Sequence, residues 1–366
     1  MKIGIYARGL SESSGGPKVY IECLTKELVK IIPDNCEFYI FHNLKNKYLT
    51  YKKSNVYEII LRSNSKMICD YVLGPIEINK LKLDVCLFPK DIIPMGIICK
   101  KIVTIYDLAY FLPEYNAYKL IDTKYMQIMI PYSCKIADKI ISISNNTKKD
   151  LVSLLKVDPK KVETIYLGSN IKKTSKKDCE KILKKYNLKK KFIFYSGTIS
   201  PRKNIVRLIK AFNKIQDTIN CDLIITGTVL WNNKKEMELI KKNKRIRLIG
   251  KVSKKELEAL YTLAEAYIYP SLYEGFGLPI LEAQACGCPV ITSNVSSMPE
   301  VAGKGALLVD PYKVNEISNA IKKVIIDKEL RQDLIKKGFE NCKKFSWKKC
   351  AKEIMHTCKG VVCENV

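Results

Sequence analysis

Two short strings in the second half of this 366-residue chain place acidic, basic and glycine residues in an order suited to holding a phosphorylated polyol. The first runs Tyr269-Pro270-Ser271-Leu272-Tyr273-Glu274-Gly275-Phe276-Gly277-Leu278-Pro279-Ile280-Leu281-Glu282 and continues to Gly287. An apolar run, a glycine-bracketed loop, a proline near the first helical position and a closing glycine read as strand, loop and helix. Gly275 and Gly277 let a ligand approach the backbone. The amides around Phe276, Gly277 and Leu278 become the exposed start of a helix, which binds anions through its N–H groups and its dipole. Glu274 stands in the loop before that start and Glu282 about two turns along the helix, so one carboxylate reaches hydroxyls beside the anion while the other reaches deeper.

The second string, Tyr195-Ser196-Gly197-Thr198-Ile199-Ser200-Pro201-Arg202-Lys203-Asn204, again runs from a strand through a glycine turn toward a helix, expected over 202–216. It has neither the spacing of a Walker A loop nor that of a dinucleotide-binding glycine fingerprint. Arg202 and Lys203 put two cations at a helix start, where they oppose the dipole unless an anion bridges them. A diphosphate would supply that anion.

These strings resemble family 4 of the retaining glycosyltransferases, which have the GT-B architecture of two Rossmann-like domains facing each other across a cleft. Glu274-x7-Glu282, the string at 197–204, the Gly15-Gly16 loop after the first strand and Ile165-Tyr166-Leu167-Gly168 occur in family order. The match is strong over 191–311 and loose before residue 100. By this resemblance Glu274 bonds donor-sugar hydroxyls, Glu282 the nucleotide ribose, and Arg202 and Lys203 the diphosphate, with Gly197 and Thr198 beside them. Backbone amides of Gly275, Phe276, Gly277 and Leu278 hold the sugar, and Gly15 and Gly16 approach the phosphate from the other domain. Preorganised cations and amides then stabilise charge growing on the leaving phosphate, and no metal or other cofactor is required. Two positions depart from the pattern. Tyr106 stands where many members carry His before Asp107, reducing an imidazole role to a phenol hydrogen bond, and Thr198 stands where many carry Arg.

The implied reaction is transfer of a hexose, of mannose or glucose type, from a nucleotide-diphosphate sugar to a hydroxyl of a glycan or lipid-linked acceptor, with the anomeric configuration kept. A nucleotide-sugar epimerase or glycan phosphorylase on the same two-domain plan is the alternative enzyme. A basic nucleic-acid-binding protein is the alternative outside that class, but no recognised nucleic-acid motif or clustered aromatic platform appears, and no nucleic-acid partner is expected.

Positioning these groups requires α/β domains. Short apolar runs alternate with helical periods over the whole length, the pattern of strand-helix-strand units in parallel sheets. Strands are predicted at 2–6, 36–41, 83–88, 101–105, 139–143 and 161–165, with helices at 17–31, 116–137 and 147–156, the last capped by Thr147 with Asp150 three residues on. A lysine-dense stretch, 167–191, reads as linker plus a short surface helix. Strands then recur at 192–196, 222–226, 245–249, 266–269 and 289–292, and helices at 202–216, 234–243, 254–264, 278–286, 313–327, 329–340 and from 345 to about 358. Ser253 with Glu256 forms a capping box. The expected domains are 1–170 (acceptor side), 171–345 (donor side) and a C-terminal helix, 346–366, crossing back to the first. In such sheets ligands sit at the carboxyl ends of the strands.

Composition agrees with an enzyme of this kind. Hydrophobic residues make up 47% and charged residues 28%, which excludes a disordered or collagen-like chain. The net charge is +27; residues 1–170 carry 25 basic against 17 acidic side chains (+8), and the second half carries the remaining +19. Fourteen cysteines lack any C-x-x-C pair and only two histidines exist, so no metal site is expected and reduced thiols in the cytoplasm are the simplest account. Lys2 to Ala7 reads as a strand rather than a leader, and the charge-free run 283–299 contains Gly, Ser, Asn and two prolines, so it cannot span a membrane. The basic stretch 44–66, with Lys45, Lys47, Lys52, Lys53, Arg62 and Lys66 among Tyr, Leu and Ile, is the expected place for peripheral contact with anionic lipid.

Overall fold

A computed structural model describes residues 1–11, 15–43, 53–115, 118–189, 191–229 and 234–363. The chain divides into two units. The first comprises Met1–Phe111, Lys119–Gly168 and Trp347–Val366, the second Leu112–Tyr118 and Ser169–Ser346.

The first unit contains β1 (Lys2–Tyr6), α1 (Gly16–Ile31), β2 (Glu37–His42), β3 (Val56–Ile60), α2 (Lys66–Ile68), a π-helical turn (Cys69–Leu73), α3 (Gly74–Lys80), β4 (Val85–Phe88), β5 (Lys100–Ile105), α4 (Leu120–Ile136), β6 (Lys139–Ser142), α5 (Asn145–Leu155) and β7 (Val162–Thr164). The second holds α6 (Lys176–Lys185), β8 (Lys191–Ser196), α7 (Ile205–Ile215), β9 (Cys221–Thr226), α8 (Lys234–Lys242), β10 (Ile246–Leu248), α9 (Lys254–Leu263), β11 (Ala266–Tyr269), α10 (Leu278–Ala285), β12 (Val290–Ser293), α11 (Met298–Ala302), β13 (Ala306–Val309), α12 (Val314–Ile326) and α13 (Lys328–Cys342); α14 (Trp347–Cys363) belongs to the first.

The strand orders are β3-β2-β1-β4-β5-β6-β7 and β10-β9-β8-β11-β12-β13, and the paired strands run parallel. Both sheets reverse direction of growth at one point, between β1 and β4 and between β8 and β11, where doubly wound sheets open a crevice at their strand ends. Residues in β4, β11 and β12 are buried throughout, which is why these strands read as unbroken apolar runs. The edge strands β3 and β13 are half exposed; Glu58 interrupts the apolar residues of β3, and β13 is the four-residue run Ala306–Val309.

Helix starts follow their caps. Ser253 and Glu256 make the predicted capping box of α9. The predicted cap at Thr147 is corrected to Ser144, whose hydroxyl accepts the Thr147 amide at 3.0 Å; Thr147 instead donates its side chain to the Tyr106 carbonyl. One face of α7 buries Ile205, Leu208, Ile209, Phe212 and Ile215 under the second sheet, as its periodicity requires. In the first unit Trp347 of α14 lies against Tyr20 of α1, with ring centroids 5.9 Å apart, and Thr357 donates to Glu163 at 2.8 Å.

Candidate active site

In the second unit β8 ends at Ser196 and the chain turns at Gly197, whose φ of 147° favours glycine. The turn is pressed on its neighbour: a Cβ on Gly227 would fall 1.7 Å from the Gly197 carbonyl oxygen. Gly197 donates its amide to Thr226 and Ile199 donates to Thr228, so the strand pairing continues into the turn. Tyr195 donates its hydroxyl to the Thr198 carbonyl at 3.2 Å.

The helix expected over 202–216 starts later. Residues 201–203 form a single 3-10 turn, Asn204 adopts a left-handed conformation (φ 60°), and α7 begins at Ile205. Asn tolerates this conformation because its short amide can bond locally. Its side-chain nitrogen donates to the carbonyls of Pro270 (2.9 Å) and Pro311 (2.7 Å), tying the turn to the loop after β11. Arg202 and Lys203 therefore sit in the turn before the helix, aimed at that loop.

The anion between the two cations is Glu274. Lys203 Nζ donates to Glu274 Oε1 at 2.5 Å and to the Tyr269 hydroxyl at 2.7 Å. Arg202 Nη1 donates to Glu274 Oε2 at 3.3 Å and to the Tyr273 carbonyl at 2.9 Å. Tyr269 donates to Glu274 Oε1 at 2.9 Å. Lys203 and Glu274 are both buried. Burial pushes the Glu274 carboxyl up, but the charges of Lys203 and Arg202 outweigh it and hold the group at about 2.

The loop beyond Glu274 is held by a pair of serines. Ser296 Oγ donates to the Glu274 carbonyl at 2.7 Å and accepts its amide at 3.1 Å; Ser297 Oγ lies 2.9 and 2.8 Å from the carbonyl oxygens of Glu274 and Phe276. The Phe276 ring is buried edge-on against Phe345, so its part in a ligand site is played by its backbone. Gly277, at φ 99°, is the residue from which α10 starts, with Pro279 in the first turn. Gly275 and Leu278 flank it.

Glu282 lies on α10 and accepts the Tyr261 hydroxyl at 3.2 Å. That hydroxyl also lies 2.6 Å from Ser196 Oγ, and Tyr267 donates to the Ser196 carbonyl at 3.1 Å. Glu282 is thus linked through one tyrosine to the residue before the Gly197 turn. Burial pushes its carboxyl up to about 7, against the lowering effect of the Tyr261 hydrogen bond.

Four predicted site residues belong to the first unit. Gly15 precedes α1 with φ 119° and both Gly15 and Gly16 are exposed; among the described residues a Cβ on Gly16 would meet no heavy atom within 4 Å beyond its chain neighbours and its own helix backbone. Tyr106 donates its hydroxyl to the Pro89 carbonyl at 2.7 Å, while its amide donates to Asp91 Oδ1 at 2.9 Å. Its phenol proton is therefore already used, leaving the oxygen as an acceptor. Asp107 accepts the Ala109 amide at 3.0 Å in a local turn.

Sequence reasoning gave no role to Tyr261, Tyr269, Ser296 or Ser297. Tyr269 is the last residue of β11, the strand-end position that such a sheet offers to a ligand, and could have been found on that ground. The serines carry no spacing signal, since they meet Glu274 only through the fold. Among the described residues no three His, Cys, Asp or Glu side chains converge as a metal site, and no helix is long and apolar enough to cross a membrane.

Comparison with known proteins gives the family and the fold. Residues 178–341 match the family described as Glycosyl transferases group 1. O-antigen chain mannosyltransferase B of Escherichia coli is 33% identical over 269 residues, covering 71% of this chain and 70% of that protein. O-antigen chain mannosyltransferase RfbU of Salmonella typhimurium is 29% identical over 223 residues, covering 61% of this chain and 60% of its own. Among solved structures, sucrose-phosphate synthase of Thermosynechococcus elongatus superposes with a TM-score of 0.79 at 18% identity, covering 98% of each chain. HepE of Anabaena, solved in complex with UDP-glucose, gives 0.76 at 17% identity, covering 98% of this chain and 100% of that one. The fold is that of two Rossmann-like units of the GT-B type, and the relatives make the chain a glycosyltransferase. The chain belongs to the glycosyl transferases group 1.

Proposed function

We propose that the protein is a retaining, metal-independent family 4 hexosyltransferase that builds a surface polysaccharide or glycoconjugate. It would move a mannose-type sugar from a nucleotide diphosphate to a hydroxyl of a glycan or lipid-linked acceptor at the cytoplasmic side. The donor class is supported by the complex of HepE with UDP-glucose, and the sugar by the mannosyltransferase names of the relatives. The observation that carries the reading is the contact of Arg202 and Lys203 with Glu274 at the start of the Gly275–Gly277 turn.

Two cations and one carboxylate in a buried cluster leave one positive charge in excess. A diphosphate arriving there meets two cations already held in place, and the Glu274 carboxylate is free to turn its oxygens to sugar hydroxyls as the cations engage phosphate. As the anomeric carbon–oxygen bond lengthens, charge passes to the leaving phosphate and the cluster strengthens its hold, which lowers the barrier. Front-face attack by the acceptor hydroxyl, on the side the phosphate leaves, keeps the configuration. Glu282 would receive ribose hydroxyls, and Gly15 and Gly16 would pass close to phosphate.

The test is incubation with GDP-mannose, UDP-glucose, dTDP-glucose and ADP-glucose and a lipid-linked or oligosaccharide acceptor, with the product's anomeric signals read by NMR. Transfer that keeps the donor configuration and survives EDTA is expected. An inverted product, or loss of activity on chelation restored by a divalent ion, would overturn the corresponding part.

A further inference from the structure

Residues 44–52 of the basic stretch lie outside the described ones, and its Lys53 donates to the Ile32 carbonyl. A more definite feature begins at the end of β12 in the second unit, where the string Thr292-Ser293-Asn294-Val295-Ser296-Ser297 places four hydroxyls against one loop. The pairing of β11 with β12 ends at Tyr269 and Thr292, so the carbonyls of the chain beyond that point need other partners. Thr292 donates to the Tyr269 carbonyl at 2.8 Å and Ser293 to the Ser271 carbonyl at 2.6 Å, and Ser296 and Ser297 continue the series to Glu274 and Phe276. The loop that carries Glu274 is thus laid along a row of side chains rather than along a strand.

Within the row Ser296 differs from the others. Its φ is 56°, a left-handed conformation that is costly for a residue with a side chain and is left mostly to Gly and Asn. A serine hydroxyl has one proton and two lone pairs, and Ser296 turns both kinds on one residue, donating to the Glu274 carbonyl and accepting the Glu274 amide. Those two groups belong to the peptide units on either side of the Glu274 Cα. Because each unit is planar, one hydroxyl fixes both planes and with them the direction in which the carboxylate leaves the backbone. Arg202 grips the first of these units from its other edge, through the Tyr273 carbonyl. A guanidinium that turns to phosphate would release that edge, and Ser296 would keep its own. Strain of this kind persists only where the surrounding structure imposes it, and it gathers at functional sites.

We infer that Ser296 is a positioning residue for the transfer, holding the Glu274 backbone so that the carboxylate meets Arg202 and Lys203 before the donor arrives and the donor's hydroxyls afterwards. Ser297, whose oxygen lies 2.9 Å from the Glu274 carbonyl, supports the same peptide unit from an ordinary right-handed backbone. The role in transfer rests on the reading above; the hold on Glu274 does not.

The experiment compares Ser296→Gly with Ser296→Ala in the full chain. Both delete the hydroxyl, but glycine takes the left-handed backbone without strain and alanine keeps the strain. Both are expected to lose kcat by about 10–10²-fold, the scale of misplacing a reacting group, with donor KM changed less than about threefold. Melting is expected to part them, Ser296→Gly melting at least about 2 °C above Ser296→Ala. A structural role alone would instead leave kcat near normal in whichever variant stays folded. A kcat within about twofold of the wild type in folded Ser296→Gly overturns the inference, as does a loss carried by KM alone. Unfolding of both variants would make the hydroxyl a folding group and overturn it as well. If the wild type transfers no sugar from any donor, the role in transfer falls with that reading, and the hold on Glu274 is judged by melting temperature as pH drops from 4.5 to about 2. Over that window the wild type declines as the Glu274 carboxylate, which burial raises but Lys203 and Arg202 hold at about 2, takes up its proton. A flatter decline in Ser296→Gly supports the hold, and parallel curves overturn it.

Discussion

Lys203 and Glu274, 71 residues apart in sequence, meet at 2.5 Å inside the second unit, and the same lysine holds the hydroxyl of Tyr269. The cluster's excess positive charge is buried and already oriented, so on the proposed reading it would serve stability and ligand binding at once. Lys203→Met leaves the Glu274 carboxylate with Arg202 alone. The expected outcome is a fall in transfer rate of about 10²–10³-fold, the scale of removing one preorganised charge stabiliser. A stability loss of about 3 kcal/mol accompanies it, as for one member of a buried ion pair. Steady-state kinetics with thermal melts measure both, and a near-normal rate would remove Lys203 from the site.

The Glu274 carboxyl makes the cluster acid-sensitive. Its folded value of about 2 lies below the ordinary 4.5, so its contribution to stability is fully present above about pH 4.5 and is lost as pH falls toward 2. Glu274→Gln should therefore flatten the decline of melting temperature across that window relative to the wild type. Parallel curves for the two proteins would contradict the assignment.

The two strings that carry the site were legible because each is local: strand, glycine turn and helix follow one another in sequence, and the turn chemistry fixes where the side chains emerge. The partners were not. Nothing at Glu274 announces Ser296 or Ser297, and nothing in α9 announces that Tyr261 reaches Glu282, since these meetings come from how β11, β12 and α9 stack. The helix expected at Arg202 begins after Asn204 because that side chain anchors the carbonyls of Pro270 and Pro311, 66 and 107 residues away. Among the strands, β3 and β13 escaped notice at half-exposed sheet edges: Glu58 breaks the apolar run of β3, and β13 is only the short run Ala306–Val309.

Tyr261 controls Glu282 through its hydroxyl, and Tyr261→Phe keeps the ring packed edge-on against Phe194 and Tyr267 while deleting the bond. Glu282 near 7 is a carboxyl raised above 4.5, so stability is fully present below about pH 4.5 and declines as pH rises through 7, whereas the proposed ribose binding by the carboxylate would improve over the same rise. Lys254 and Glu258 also act on this carboxyl, in opposite directions. In Tyr261→Phe the pH profile of donor KM should shift to higher pH with kcat changed less than KM. An unshifted profile would mean that the tyrosine only fills space.

Tyr106 offers a check on the first unit. Its hydroxyl is donated to Pro89, so Tyr106→Phe should cost about 1 kcal/mol of stability and change the rate less than about fivefold. A large rate loss with unchanged melting temperature would instead require that the phenol leaves Pro89 and bonds substrate.

Gly16 and Gly227 separate a ligand requirement from a folding requirement. A Cβ at Gly227 would occupy the position of the Gly197 carbonyl, at 1.7 Å, and its φ of 141° is unfavourable for other residues; Gly227→Ala should lower stability by about 3 kcal/mol or more whatever the ligand. At Gly16 an added methyl meets no atom of the described residues within 4 Å beyond its chain neighbours and its own helix backbone, and the residue lies in the first turn of α1, where alanine is well tolerated. Gly16→Ala should therefore melt like the wild type. If donor phosphate approaches this helix start, the methyl stands in its path and kcat/KM should fall at least about tenfold, which at about 1.4 kcal/mol is the scale of losing one amide–phosphate hydrogen bond. Equal melting with equal kinetics would move the phosphate away from Gly16, while leaving the Arg202, Lys203 and Glu274 cluster to be judged by its own variants.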